Sequence, residues 1–149
     1  MFDHAFHGRS IATLSATGNP NVRRDFAPYL PDFIRVPAGD VEMIEKLATT
    51  TPGICAVMFE PVQGEGGIIP IPDETMRAIR ELCDRHDWLM ILDEVQSGIG
   101  RTGKWFAYQH SGIVPDVMTL AKALGGGVPV GALVCGEKAY GVFAPGNHG

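Results

Sequence analysis

Apolar residues fall along this chain in two rhythms, and their alternation sets out a fold. Val41, Ile44, Leu47 and Ala48 recur on one helical face behind an N-cap candidate, Asp40, and Thr51-Pro52-Gly53 stops the run. Residues 54 to 59 form instead a short continuous apolar run closed by Glu60 and Pro61, the pattern of a strand covered on both faces. The helical rhythm returns over 73 to 87 through Met76, Ile79, Leu82 and Cys83. Asp73 reads as its cap, and Arg85 and His86 lie in the last turn, where the helix dipole favours cations. A second apolar run, 88 to 92, ends at Asp93; a third, 116 to 120, leads to Lys122; residues 131 to 134 read as a fourth.

Strand, helix and strand in this order predict a βαβ unit, with parallel neighbours and a right-handed crossover. The expected class is α/β, a mostly parallel sheet with flanking helices. Open sheets of this kind bind ligands beyond the carboxyl ends of their strands, and three such ends carry Glu60, Asp93 and Lys122. Ahead of them, the chain up to Val36 is rich in Pro and Asn after Ala16 and reads as a long surface connection.

Composition narrows the function classes. With 45% hydrophobic and 19% charged residues, 149 residues have the balance of one soluble globular domain, free of repeats and low-complexity tracts. A formal net charge of -5 and twelve unclustered Lys and Arg speak against nucleic acid, which calls for a basic stripe. The apolar runs have strand length, so neither a signal peptide nor a membrane span is expected and cytoplasm is the anticipated compartment. Three cysteines, each in an apolar segment, suggest reduced buried thiols, and five histidines show no metal-ligand spacing, so no metal is expected.

The stretch 91 to 105 offers competing motifs: Asp93-Glu94 after an apolar run, a Gly-x-Gly-x-x-Gly at Gly98, Gly100 and Gly103, and a Gly-x-x-x-x-Gly-Lys ending at Lys104. A phosphate loop fails because Trp105 stands where Ser or Thr should follow the lysine to reach a metal. A dinucleotide fingerprint fails because Glu94 to Ser97 separate the glycines from the strand. Lys122, flanked by Ala and Leu, reads either as a snorkelling lysine or as a desolvated amine ready to attack a carbonyl. Asp93 at a strand end reads either as a cap for backbone amides or as the acid that keeps a pyridine nitrogen protonated. Taken together, the pair and the glycines after Lys122 raise pyridoxal phosphate as a cofactor, with both alternatives still open.

Four ordered motifs then carry a resemblance: Ala-Phe-His-Gly-Arg-Ser from 5, Phe-Glu-Pro-Val-Gln-Gly-Glu-Gly-Gly from 59, Leu-Asp-Glu-Val-Gln-Ser-Gly-Ile-Gly-Arg-Thr-Gly from 92 and Leu-Ala-Lys-Ala-Leu-Gly-Gly-Gly from 120. The sequence resembles the class III pyridoxal-phosphate aminotransferases, in detail the acetylornithine aminotransferase family. The resemblance implies the large domain of fold type I and pyridoxal 5'-phosphate as cofactor. It implies that Lys122 bonds the cofactor and shuttles the proton, that Asp93 pairs with the pyridine nitrogen, and that Gln96 holds the ring hydroxyl. Val95 and Phe6 would cover the two ring faces, with Glu94 completing that loop. Arg9 would clamp the substrate carboxylate, and Glu60 and Glu65 would lie on the substrate side. Asp116 and Arg101 are expected to hold structure, and His7 receives no role.

The implied reaction passes the δ-amino group of N-acetylornithine to 2-oxoglutarate, in a homodimer. Succinyldiaminopimelate, ornithine and 4-aminobutyrate enzymes share most of these motifs and stand as alternatives. Relatives in this family are substantially longer. The expectation is therefore a central piece of the large domain, without the phosphate cup and the small domain, and weakly active or inactive by itself.

Overall fold

A computed structural model describes residues 1–146. The chain opens with two short helices, α1 (Ile11–Ala16) and α2 (Pro20–Arg23), followed by α3 (Val41–Thr50). The α3 start is set as its sequence predicts, with the Asp40 carboxylate accepting the Met43 N–H at 2.8 Å. Strand β1 (Ala56–Phe59) leads into a small hairpin, β2 (Val62–Gln63) and β3 (Ile69–Pro70), and then α4 (Asp73–Arg85) and β4 (Leu89–Asp93). The chain continues through α5 (Tyr108–Ser111), β5 (Val117–Leu120), a 3-10 turn (Lys122–Gly125) and β6 (Ala132–Cys135).

The main sheet has the order β1-β4-β5-β6. The first three strands are parallel, as the βαβ pattern predicts, and β6 runs antiparallel to β5. Pairing places Phe59 opposite Leu92 and Asp93 opposite Thr119, so the carboxyl ends lie nearly level and their next residues converge. Helix α4 turns Met76, Ile79, Leu82 and Cys83 inward, and the core unites them with Val57, Phe59, Met90 and Leu92. Burial of these side chains is what fixes α4 against the sheet.

Asp116 joins layers, as a structural role requires. Its Oδ2 accepts both the Met90 N–H and Arg80 Nη1 of α4, each at 2.7 Å. Arg101 is exposed.

Three expectations need correction. The N-terminal region is no mere surface connection: Phe2, Ala5, Leu14, Ala16 and Val36 are buried, Phe2 bridges to Val36, and the Phe2 and Phe59 rings pack 5.1 Å apart. Phe2 and Val36 join the main core, whereas none of residues 18 to 35 is buried, as their Pro- and Asn-rich composition predicts. Asp73 does not cap α4; Pro72 occupies the cap, and Asp73 and Glu74 serve in the first turn, where the dipole favours acids. Of the cysteines only Cys83 is buried, while Cys55 precedes β1 and Cys135 ends an edge strand, both exposed. No helix among the described residues is long and apolar enough to cross a membrane.

Candidate active site

Asp93 ends β4 and is 7% exposed. Its Oδ1 accepts the Val95 N–H at 3.1 Å, and its Oδ2 lies 2.8 Å from Nδ1 of His7, whose side chain is fully buried. With its proton on Nδ1 the imidazole donates to the carboxylate, so donors from two segments fix the plane of Asp93. Among the described residues, His7 Nε2 is buried without a hydrogen-bond partner. The His7 main chain is itself held by Thr17, whose Oγ1 accepts its N–H at 3.0 Å.

Phe6 and Glu60 meet beside this pair. The Phe6 N–H donates to Glu60 Oε1 at 2.8 Å, and the Gly64 N–H donates to Oε2 at 3.1 Å. Burial pushes the Glu60 carboxyl above its ordinary 4.5, partly offset by those two amides. Both oxygens are thus occupied by backbone. Glu65 in the same motif is exposed.

Lys122 begins the 3-10 turn with φ 49, a left-handed conformation that is uncommon for a side chain of this kind. Its Nζ donates to Gln96 Oε1 at 3.0 Å. Of the two readings open for Lys122 the structure shows the solvated one, since the residue is exposed. Gln96 in turn lies against Gly64, where an added Cβ would fall 2.1 Å from Gln96 Oε1. Between Gly64 and Ile68 on one side and Gln96, Ser97, Arg101 and Thr102 on the other is a cavity of about 310 Å³.

Glu94 points away from this opening. Its carboxylate accepts the Ala107 and Tyr108 N–H groups at 3.0 and 2.9 Å and the Ser97 hydroxyl at 2.6 Å, which folds the 94 to 108 loop back onto α5. Val95 and Phe6 are half-buried. Arg9 is exposed, with its guanidinium 5.8 Å from the Phe6 ring centroid. The structure therefore gathers Phe6, Glu60, Asp93, Gln96 and Lys122 at the ends of β1, β4 and β5, and leaves Arg9 and Glu65 at its exposed margin. Sequence reasoning missed His7 and Gly64. Nothing local marks His7, whose partner lies 86 residues away, and Gly64 was indistinguishable from the glycines around it.

Known proteins share the sequence and the fold of this chain. The family described as Aminotransferase class-III matches residues 1–149. Acetylornithine aminotransferase of Nitrosomonas europaea is 51% identical over 99% of this chain, and succinylornithine transaminase of Salmonella paratyphi A is 49% identical over 99%. The chain spans 38% and 36% of the length of these two relatives. Among solved structures, ornithine aminotransferase from Toxoplasma gondii, crystallised with partial occupancy of PLP at its active site, superposes with a TM-score of 0.92 at 32% identity. That match covers 99% of this chain and 35% of the other. With its mostly parallel sheet, its strand-end lysine and acid, and a family match along its whole length, the chain belongs to the class-III aminotransferases.

Proposed function

We propose that these residues serve a pyridoxal-phosphate-dependent aminotransferase that passes the δ-amino group of N-acetylornithine to 2-oxoglutarate, a step of arginine biosynthesis. The observation that carries the reading is the set Lys122, Gln96 and Asp93 at adjoining strand ends, with the lysine amine 3.0 Å from Gln96 and Asp93 held by His7 and Val95. The residues fit the cofactor. Gly64 leaves room for the Gln96 amide that Lys122 meets, and Asp93 supplies a buried acid at the neighbouring strand end.

When bound, the cofactor supplies an aldehyde for amines and a ring that withdraws electrons. Asp93 would hold the protonated ring nitrogen, Gln96 the ring hydroxyl, and Phe6 and Val95 the two faces. Lys122 Nζ takes the proton from the substrate carbon and returns it, the work of a general base at the end of a short flexible stem. Arg9 offers a planar fork for a carboxylate, and Glu65, exposed nearby, is the remaining substrate-side acid. Glu94 acts through the loop that it folds.

The donor's acyl group is the finer part of the proposal. The succinylornithine relative is nearly as similar as the acetylornithine one, which favours a second reading: a related ω-amino transaminase with another donor. A cytoplasmic homodimer accompanies the proposal. Free cysteines suit a reducing compartment, and Ile68 and Trp105, 76% and 70% exposed, supply apolar surface for a second copy to cover.

The test is a donor panel on the full-length protein that carries this sequence, with 2-oxoglutarate as acceptor. The expected result is the highest kcat/KM with N-acetylornithine. A higher value with N-succinylornithine, ornithine or 4-aminobutyrate supports the second reading, and no glutamate from any donor overturns both.

A further inference from the structure

Glu60 lies beneath the site, and its surroundings call for two acceptor oxygens. Two backbone N–H groups from distant segments, Phe6 and Gly64, converge on its two oxygens at 2.8 and 3.1 Å. Donors of this kind need an acceptor each, and a carboxylate is the side chain of this size that offers two. A glutamine in its place would turn an NH2 toward one of the backbone donors. The residue is 4% exposed, so water cannot substitute for the lost acceptor. Its charged neighbours are His7, which favours the ionised form, and Asp93, which opposes it.

The second amide leads to the catalytic amine. The Gly64 backbone is a wall against which the Gln96 amide rests: a Cβ there would lie 2.1, 2.4 and 2.5 Å from its Oε1, Cδ and Nε2. That same Oε1 accepts from Lys122 Nζ. We infer that Glu60 and Gly64 are positioning residues: the Glu60 carboxylate ties the Phe6 segment to Gly64, and Gly64, by lacking a side chain, seats the Gln96 amide that orients Lys122. Glu60 then acts under the substrate and does not touch it. The effect on turnover rests on the aminotransferase reading, whereas the clamp itself does not.

The experiment uses the full-length protein that contains this sequence, in two arms. Hydrogen exchange read by mass spectrometry, without substrate, reports the Phe6 and Gly64 amides. Glu60→Gln should speed exchange at both by roughly 10-fold or more and leave α4 unchanged. In the kinetic arm Glu60→Gln should lower kcat by roughly 10- to 100-fold, the scale expected for a slightly displaced catalytic group, with the amino-donor KM almost unaltered. A raised KM at unchanged kcat, with wild-type exchange, would show a substrate contact and overturn the proposal.

Gly64→Ala tests the other end without touching the carboxylate. It should leave exchange at Phe6 unaltered and lower kcat, and that loss should vanish in a Gln96→Ala background, where no amide remains to be displaced. Additive losses would overturn the seating of Gln96. Should the wild-type protein show no aminotransferase activity, the exchange arm still decides the clamp: wild-type exchange in Glu60→Gln refutes it.

Discussion

At the scale of single residues, buried charge organises the site. His7 supplies the only side-chain hydrogen bond recorded to Asp93 among the described residues, at 2.8 Å. Replacing it by Leu should lower kcat of the full-length enzyme by roughly 10- to 100-fold, and Asn, whose amide can also donate to a carboxylate, should recover part of the loss. Equal loss in both variants would assign the imidazole a role in packing alone. Glu60 makes a prediction about pH. Its folded pKa lies above 4.5 because of burial, so between those two values the native state holds a proton that the unfolded chain has released. Stability must therefore fall as pH rises through that window. The thermal midpoint of the wild type minus that of Glu60→Gln should decline as pH rises through that window; a difference that grows with pH contradicts it. Above that window the ionised clamp is retained at the expense of stability, a compromise that fits a group placed for function.

At the scale of elements, periodicity carried most of the information. Helices α3 and α4 and the four main strands stand within about two residues of where their apolar patterns put them, the ordinary uncertainty of element ends. The β2–β3 hairpin, α5 and the 3-10 turn were illegible because two to four residues cannot display a period. The site divides in the same way. Asp93 and Lys122 stood out because strand ends of a parallel sheet attract chemistry, whereas His7 and Gly64 depend on contacts made only after distant segments meet. Asp116 illustrates the gain from having both views, since one carboxylate oxygen ties β4 and α4 to the start of β5. Asp116→Ala leaves the Met90 amide without its acceptor and Arg80 with only the exposed Asp84 as a carboxylate partner, and should destabilise the protein by about 2 kcal/mol. Thermal denaturation would measure it; a change below about 0.5 kcal/mol, the size typical of surface substitutions, would refute the assignment.

At the scale of the whole molecule, the exposed parts are as informative as the core. All four residues of β6 are exposed, including Leu133 and Val134, although the strand pairs fully with β5 on one edge. An uncovered apolar edge strand invites pairing, and the chain spans only 38% of the Nitrosomonas relative. Cys135 on that strand offers a probe. In the isolated 149-residue chain it should react with an alkylating reagent alongside Cys55, while Cys83, pushed up to about 11 by burial, stays inert. In the full-length protein Cys135 should be protected, and equal reactivity in both would show that β6 remains an open edge. Because Lys122 is exposed as well, the isolated chain should turn over acetylornithine weakly or not at all, which an amino-transfer assay would check.

The central claim is that Lys122 is the amine that meets the cofactor. Its most direct test is to add pyridoxal phosphate to the full-length protein, reduce with borohydride and map the labelled peptide. Label confined to Lys122 is the predicted result. Label spread equally over Lys46, Lys104 and Lys138, or absent from Lys122, would contradict the account.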